Sequence, residues 1–188
     1  MTCMIPVTTR SRPDAAVRYP REIAAAVTLP AACAALVAPP DTPTSRAGSI
    51  AIVTACAALS TRLGVIRFLA ERSPVDPRAA RPFDPFHDLT PPALRGFGPA
   101  PESGRLRTAG DRCADAWRLW RADDAGADSA AGAAGALAVA AWCSWALGST
   151  ARAQTRAQHA LDTRADDPLA ALVLRSVRAR SGPAWDRG

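Results

Sequence analysis

Lysine and asparagine are absent from the 188 residues, and all 23 basic positions are arginine. A bias this complete points first to a GC-rich genome and only then to function, so the formal net charge of +6 is weak support for a polyanionic partner. Aromatic residues make up 5% of the chain, and with 44 alanines the apolar fraction of 48% consists mostly of methyl groups. Alanine buries little area, so the core must be weak per residue unless helices approach closely. The five cysteines, Cys3, Cys33, Cys56, Cys113 and Cys143, stand singly, with no C-x-x-C pair and no histidine at metal-ligand spacing. This excludes a sequence-encoded zinc or redox motif and fits small core residues in a reducing, cytoplasmic compartment. No nucleophile motif, oxyanion device, zinc finger, helix-turn-helix or RNA-binding signature is present, so catalytic, cofactor-binding and metal-binding residues are all expected to be none.

The organised stretch runs from Ala130 to Pro183. Apolar residues recur there at helical spacing, and each of three segments ends on a stop: Gly148 with Ser149, then Asp166, Asp167 and Pro168, then Ser181, Gly182 and Pro183. Asp167 with Pro168 spells an N-cap and first helical position. Arg175, Arg178 and Arg180 suit the C-terminal end of the last helix dipole. The uncharged run Ser129 to Ala151 is long enough to cross a membrane. Its Ala and Gly content and its internal Trp142 and Trp145 instead indicate the buried helix of a soluble bundle.

Four parts are expected along the chain. Residues 1–21 read as a disordered basic arm with Arg10, Arg12, Arg18, Arg21 and three prolines. Residues 22–72 read as helical. Ile23 to Ala38 is apolar behind a basic lead-in, an outline shared with export signals, but Glu22, Pro30 and the length of the lead-in argue against one. A single helix from about Arg46 to Glu71 should bury the stripe Ile52, Cys56, Leu59, Leu63, Ile66 and Ala70 in the core rather than in a dimer seam. Residues 73–103 carry eight prolines and read as a linker, which Phe83, Phe86 and Phe97 would pin to a surface. His87 beside Asp88 lacks the companions that acid/base chemistry needs. Residues 104–183 read as an autonomous helical domain. Its first helix, Leu106 to Arg121, turns Trp117 and Trp120 inward as anchors and Asp111, Asp115 and Arg118 outward.

Two resemblances attach to the last part. Gly148, Ala153, the Ala160 and Leu161 pair, and Pro168 resemble positions of a tetratricopeptide helix pair. The Leu119 and Trp120 pair, the run GALAVAAW ending at Trp142, Gly148, A-x-x-A-L ending at Leu161, DDPLAALVL, and S-G-P-x-W at Trp185 resemble the C-terminal region of the actinobacterial domain-of-unknown-function family 4192. That resemblance covers about residues 104–188. It implies a cytoplasmic helical tail and transfers no catalytic residue.

The fold class expected is therefore all-α, a small helical bundle with tetratricopeptide-like C-terminal hairpins and a poorly ordered Pro/Arg-rich N-terminal part. The function expected is a non-enzymatic protein-interaction module with a protein partner. The alternatives are a nonspecific nucleic-acid binder and a membrane-associated protein. Arg152, Arg156 and His159, four and three residues apart, share a helix face and are the candidate partner-binding residues. Arginine there would fork onto the carboxylates of an acidic segment, with the imidazole adding charge only at mildly acidic pH.

Overall fold

The computed structural model describes residues 14–72, 76–123 and 126–187, and among them the chain is all-α, with seven α-helices, short 3-10 turns and no strand. In order these are α1 (Asp14–Val37), α2 (Arg46–Ala55), α3 (Leu59–Ala70), α4 (Ser103–Ala122), α5 (Ala130–Ala146), α6 (Thr150–Thr163) and α7 (Pro168–Arg178). Helix α5 is the axis of the molecule. Every residue from Ala131 to Ala146 is buried, which accounts for the missing charge and the lack of a polar face. α4, α6 and α7 pack around it, with α2 and α3 closing the remaining side.

The small residues of α5 set the packing distance. A Cβ added at Gly132 would meet the Val53 carbonyl oxygen of α2, and one at Gly135 would meet that of Cys56, both well inside the 3.0 Å that Cβ contacts respect. Backbone thus lies on backbone, and dispersion contacts compensate for the small area that alanine buries.

Local signals position the C-terminal helices as expected. Gly148 adopts φ +70° after α5, and Ser149 N–H donates to Ser144 O at 2.9 Å, a glycine-dependent C-terminal stop. Asp167 caps α7, its carboxylate accepting from Leu169 N and Ala170 N, with Pro168 at the first turn. α4 starts three residues earlier than its apolar period suggests, because Glu102 accepts from Gly104 N and Arg105 N at 2.6 Å each.

Three expectations need correction. The expected arm is helical from residue 14: α1 runs through Pro20 and Pro30. An interior proline costs about 3 kcal/mol, but Ala25, Leu29, Ala32, Cys33 and Leu36 form an unbroken buried stripe on either side of Pro30, so tertiary burial outweighs it. Residues 1–13, the rest of that arm, lie outside the described residues. The single helix from Arg46 to Glu71 is two helices bent by 115°. The Thr61 hydroxyl donates to the carbonyls of Ala55 and Ala58, holding the corner between them. The bend shifts the helical phase, so Ile52, Cys56, Leu63 and Ile66 are buried while Leu59 is 42% exposed.

The third correction concerns the boundary at residues 103 and 104, which is not a packing boundary. One continuous core includes Leu29 and Leu36 of α1, Ile52 of α2, Ile66 of α3 and the inner faces of α4 to α7. Two buried arginines cross the boundary. Arg112 of α4 donates to the carbonyls of Ala35, Ala38, Pro39 and Thr42 at 2.7 to 2.9 Å, satisfying the C-terminal end of α1. Arg62 of α3 donates to Asp167 of α7 at 2.6 Å with both side chains at 3% exposure or less. The expected linker holds no long element, only turns at Pro77–Ala79 and Pro92–Arg95. Its pins are polar rather than aromatic. Asp88 accepts from Arg67 and Arg81, and Phe83 N–H donates to Ser60 O, whereas Phe86 is 90% exposed and Phe97 is 56% exposed.

Cys33, Cys56, Cys113 and Cys143 are free and buried. Desolvation pushes the thiols of Cys33, Cys56 and Cys143 up to about 12 and that of Cys113 well above its usual value. In a Cys3→Ser variant at pH 8, a thiol reagent should therefore label none of the four until denaturant is added, and then all four. Prompt labelling of even one in the native protein would show that the core opens locally.

Candidate functional site

α4 and α6 both lean on α5 and leave a groove between them. Asp111, Asp115 and Arg118 of α4 form one wall and Arg152, Thr155 and His159 of α6 the other, over a floor that includes Ala114 and Leu137. The volume is about 670 Å³. The walls follow from helix periodicity: 111, 115 and 118, like 152, 155 and 159, step by three and four and fall on one face.

The three arginines of the groove differ in how they are engaged. Arg118 pairs with Asp115 on its own helix. Arg156 donates to Asp111 Oδ1 at 2.7 Å, to Ser144 Oγ at 2.9 Å and to Ala140 O at 3.3 Å, and its side chain is 12% exposed. It ties α4, α5 and α6 together. Arg152 is exposed and forms no hydrogen bond or ion pair with the described residues.

At the far end of the groove His159 stacks on Trp117, with ring centroids 5.8 Å apart and planes 26° from parallel. Trp117 Nε1 donates to Thr163 Oγ1 at 3.0 Å, and the Arg121 guanidinium lies 5.4 Å from the centre of the Trp117 ring. Trp117 is therefore only partly buried, not the inward anchor its spacing suggests. Trp120, also half-buried, is fixed by a 2.6 Å hydrogen bond to Ser129 Oγ.

The structure thus brings Arg152, Arg156 and His159 to one groove, with Arg156 engaged by Asp111 and Ser144 and Arg152 left open. The engagement of Arg156, expected to face outward, has a geometric cause. Position 156 immediately precedes the inward Ala157, and with Ala153 and Ala157 so small the arginine folds over α5 instead of projecting into solvent. Trp117 is the groove residue that periodicity misassigns. Its proximity to Arg118 and Arg121 and the small Ala114 one turn before it are the sequence features that accompany its partial burial.

His87 does not engage Asp88. Its Nδ1 lies 2.6 Å from Asp84 Oδ2, and the ring is 81% exposed. Asp88 is held well below the usual carboxylate range by hydrogen bonds from Arg81, the Asp84 amide and Arg67. Among the described residues, no group of three or more His, Cys, Asp or Glu side chains is placed to hold a metal. The window Pro20–Val37 of α1 is long and apolar enough to cross a membrane and is 28% buried, with Ile23 and Val27 facing outward. The uncharged α5, by contrast, lies inside the bundle.

Family models, curated proteins and solved structures offer no match to this chain.

Proposed function

We propose that this chain is a non-enzymatic protein-interaction module whose groove between α4 and α6 receives an acidic segment of a protein partner. The observation that carries the reading is Arg152, an exposed cation without an internal partner, in a groove where Arg118 and Arg156 are already neutralised and a Trp117 and His159 stack supplies an apolar platform. Aromatic and arginine side chains are the residues that dominate protein interfaces, and an unpaired guanidinium can form forked bonds to a carboxylate. Membership of family 4192, a tetratricopeptide-like pairing of the C-terminal helices and a cytoplasmic setting belong to the same proposal, supported by the residues that carry the resemblance and by the all-α fold.

Arg152→Gln is the informative variant. It removes a free charge and preserves helix propensity, so stability should change by about 0.5 kcal/mol or less. Partners captured from the native host should bind the variant about tenfold more weakly, the equivalent of one charged hydrogen bond. Arg156→Gln does not serve the same purpose, because it leaves Asp111 and Ser144 without their donor. Equal capture by parent and Arg152→Gln would place the binding face elsewhere. Capture of nucleic acid alone, lost as salt rises, would replace the protein partner with nonspecific charge binding.

A further inference from the structure

A second cleft shares no lining residue with the groove between α4 and α6. It opens where the C-terminal end of α1, the end of α3 and the first turn of α4 converge, and its volume is about 480 Å³. That lies within the range of small-molecule sites. Val37, Pro40 and Phe68 supply an apolar wall, Phe68 being 5% exposed, and Arg72, Glu102 and Arg105 supply the charges.

The charges are not equivalent. The Glu102 carboxylate accepts from Gly104 N and Arg105 N at 2.6 Å each, which lowers its pKa and commits it to the start of α4. The Gly104 and Arg105 amides are therefore already taken, and recognition of an anion falls to the arginines. Arg105 donates through Nη2 to Glu71 O, the carbonyl that follows α3, while its Nε–H is sealed from solvent without an acceptor. Arg72 is exposed and has neither a hydrogen bond nor an ion pair with the described residues. Two arginines against one committed glutamate leave a single positive charge, which matches a monoanion better than a phosphate dianion.

We propose that this cleft binds an aliphatic monocarboxylate, with the carboxylate on Arg105 and Arg72 and the chain along Val37, Pro40 and Phe68. Neither feature suffices alone. The apolar wall without the arginines would take any hydrocarbon, and the arginines without the wall would take any small anion.

Octanoate, 1-octanol and acetate separate these cases by calorimetric titration of the full chain. Octanoate should bind at least about tenfold more tightly than either, since one charged hydrogen bond and one buried chain each contribute on that scale. Arg72→Gln and Arg105→Gln should each weaken octanoate by about tenfold without strengthening octanol. Circular dichroism of each variant verifies the fold, and Arg72, being exposed, remains decisive if Arg105→Gln does not fold. Amide shifts on adding octanoate should centre on Val37, Phe68 and Arg105. Equal affinity for octanol, equal affinity for acetate, unchanged binding by Arg72→Gln, or no octanoate heat at millimolar concentration would each overturn the assignment.

Discussion

Asp167→Ala should lower the unfolding free energy by about 3–5 kcal/mol, a large fraction of what a domain of this kind possesses. Both carboxylate oxygens are engaged in the interior. Oδ2 accepts from Arg62 Nη1 at 2.6 Å, and Oδ1 accepts from Leu169 N at 3.1 Å and Ala170 N at 2.9 Å. Truncation leaves the Arg62 guanidinium buried without a counter-ion and removes the α7 cap, the cap alone contributing about 1 kcal/mol. Two further variants separate the terms. Asp167→Asn retains a capping oxygen but not the charge and should fall between parent and alanine. Arg62→Met with Asp167→Ala removes both charges and should recover much of the loss, because a buried pair is far more costly to break than to replace. Urea unfolding followed by circular dichroism measures all three. A loss below about 1 kcal/mol for Asp167→Ala would mean that water reaches Arg62 and the pair is not sealed.

Gly135→Ala should be comparably damaging, against the direction of helix propensity. In an exposed helix the change gains about 1 kcal/mol. Here the new Cβ would strike the Cys56 carbonyl oxygen, a backbone atom at the corner of α2 and α3 that cannot swing aside as a side chain would. Relief requires moving α2 from α5, opening the contact on which the alanine-rich core depends, at about 3 kcal/mol or more. Gly132→Ala meets Val53 O in the same way, whereas Gly126→Ala points into open space and should stay within about 0.5 kcal/mol of the parent. Thermal unfolding of the three decides the matter. If Gly135→Ala melts at or above the parent temperature, α2 and α5 are not in close backbone contact.

What could be read from the sequence was what is encoded within a few residues. Gly148 as a stop and Asp167 with Pro168 as a start depend on local backbone chemistry, and they are found where expected. The burial of α5 was legible too, because an uncharged run of Ala and Gly with internal tryptophans has few other outcomes. Three arginines escaped for one reason. Arg62, Arg112 and Arg156 look like solvent-facing positions to any scheme that sorts side chains by polarity, yet each is withdrawn by acceptors distant in sequence: Asp167, the carbonyls ending α1, and Asp111 with Ser144. The bend between α2 and α3 was hidden because no glycine or proline marks residues 56–58, where the corner is held by a hydroxyl. Within the groove, the face shared by Arg152 and His159 was legible from spacing. The exposure of Trp117 was not, since it depends on how α4 leans on α6.

The span of these buried arginine contacts bears on the order in which the molecule assembles. Arg62 and Asp167 are 105 residues apart, and Arg112 reaches back 77 residues to Ala35. The pairs α4 with α5, α5 with α6 and α6 with α7 need only short loops, so they can meet before any long loop is closed. The first helices would then dock onto a partly formed C-terminal half, and the ion pair would lock after the rate-limiting step. Loss of that pair should accordingly leave the refolding rate nearly unchanged and hasten unfolding, so that Arg62 and Asp167 act chiefly on the lifetime of the native state.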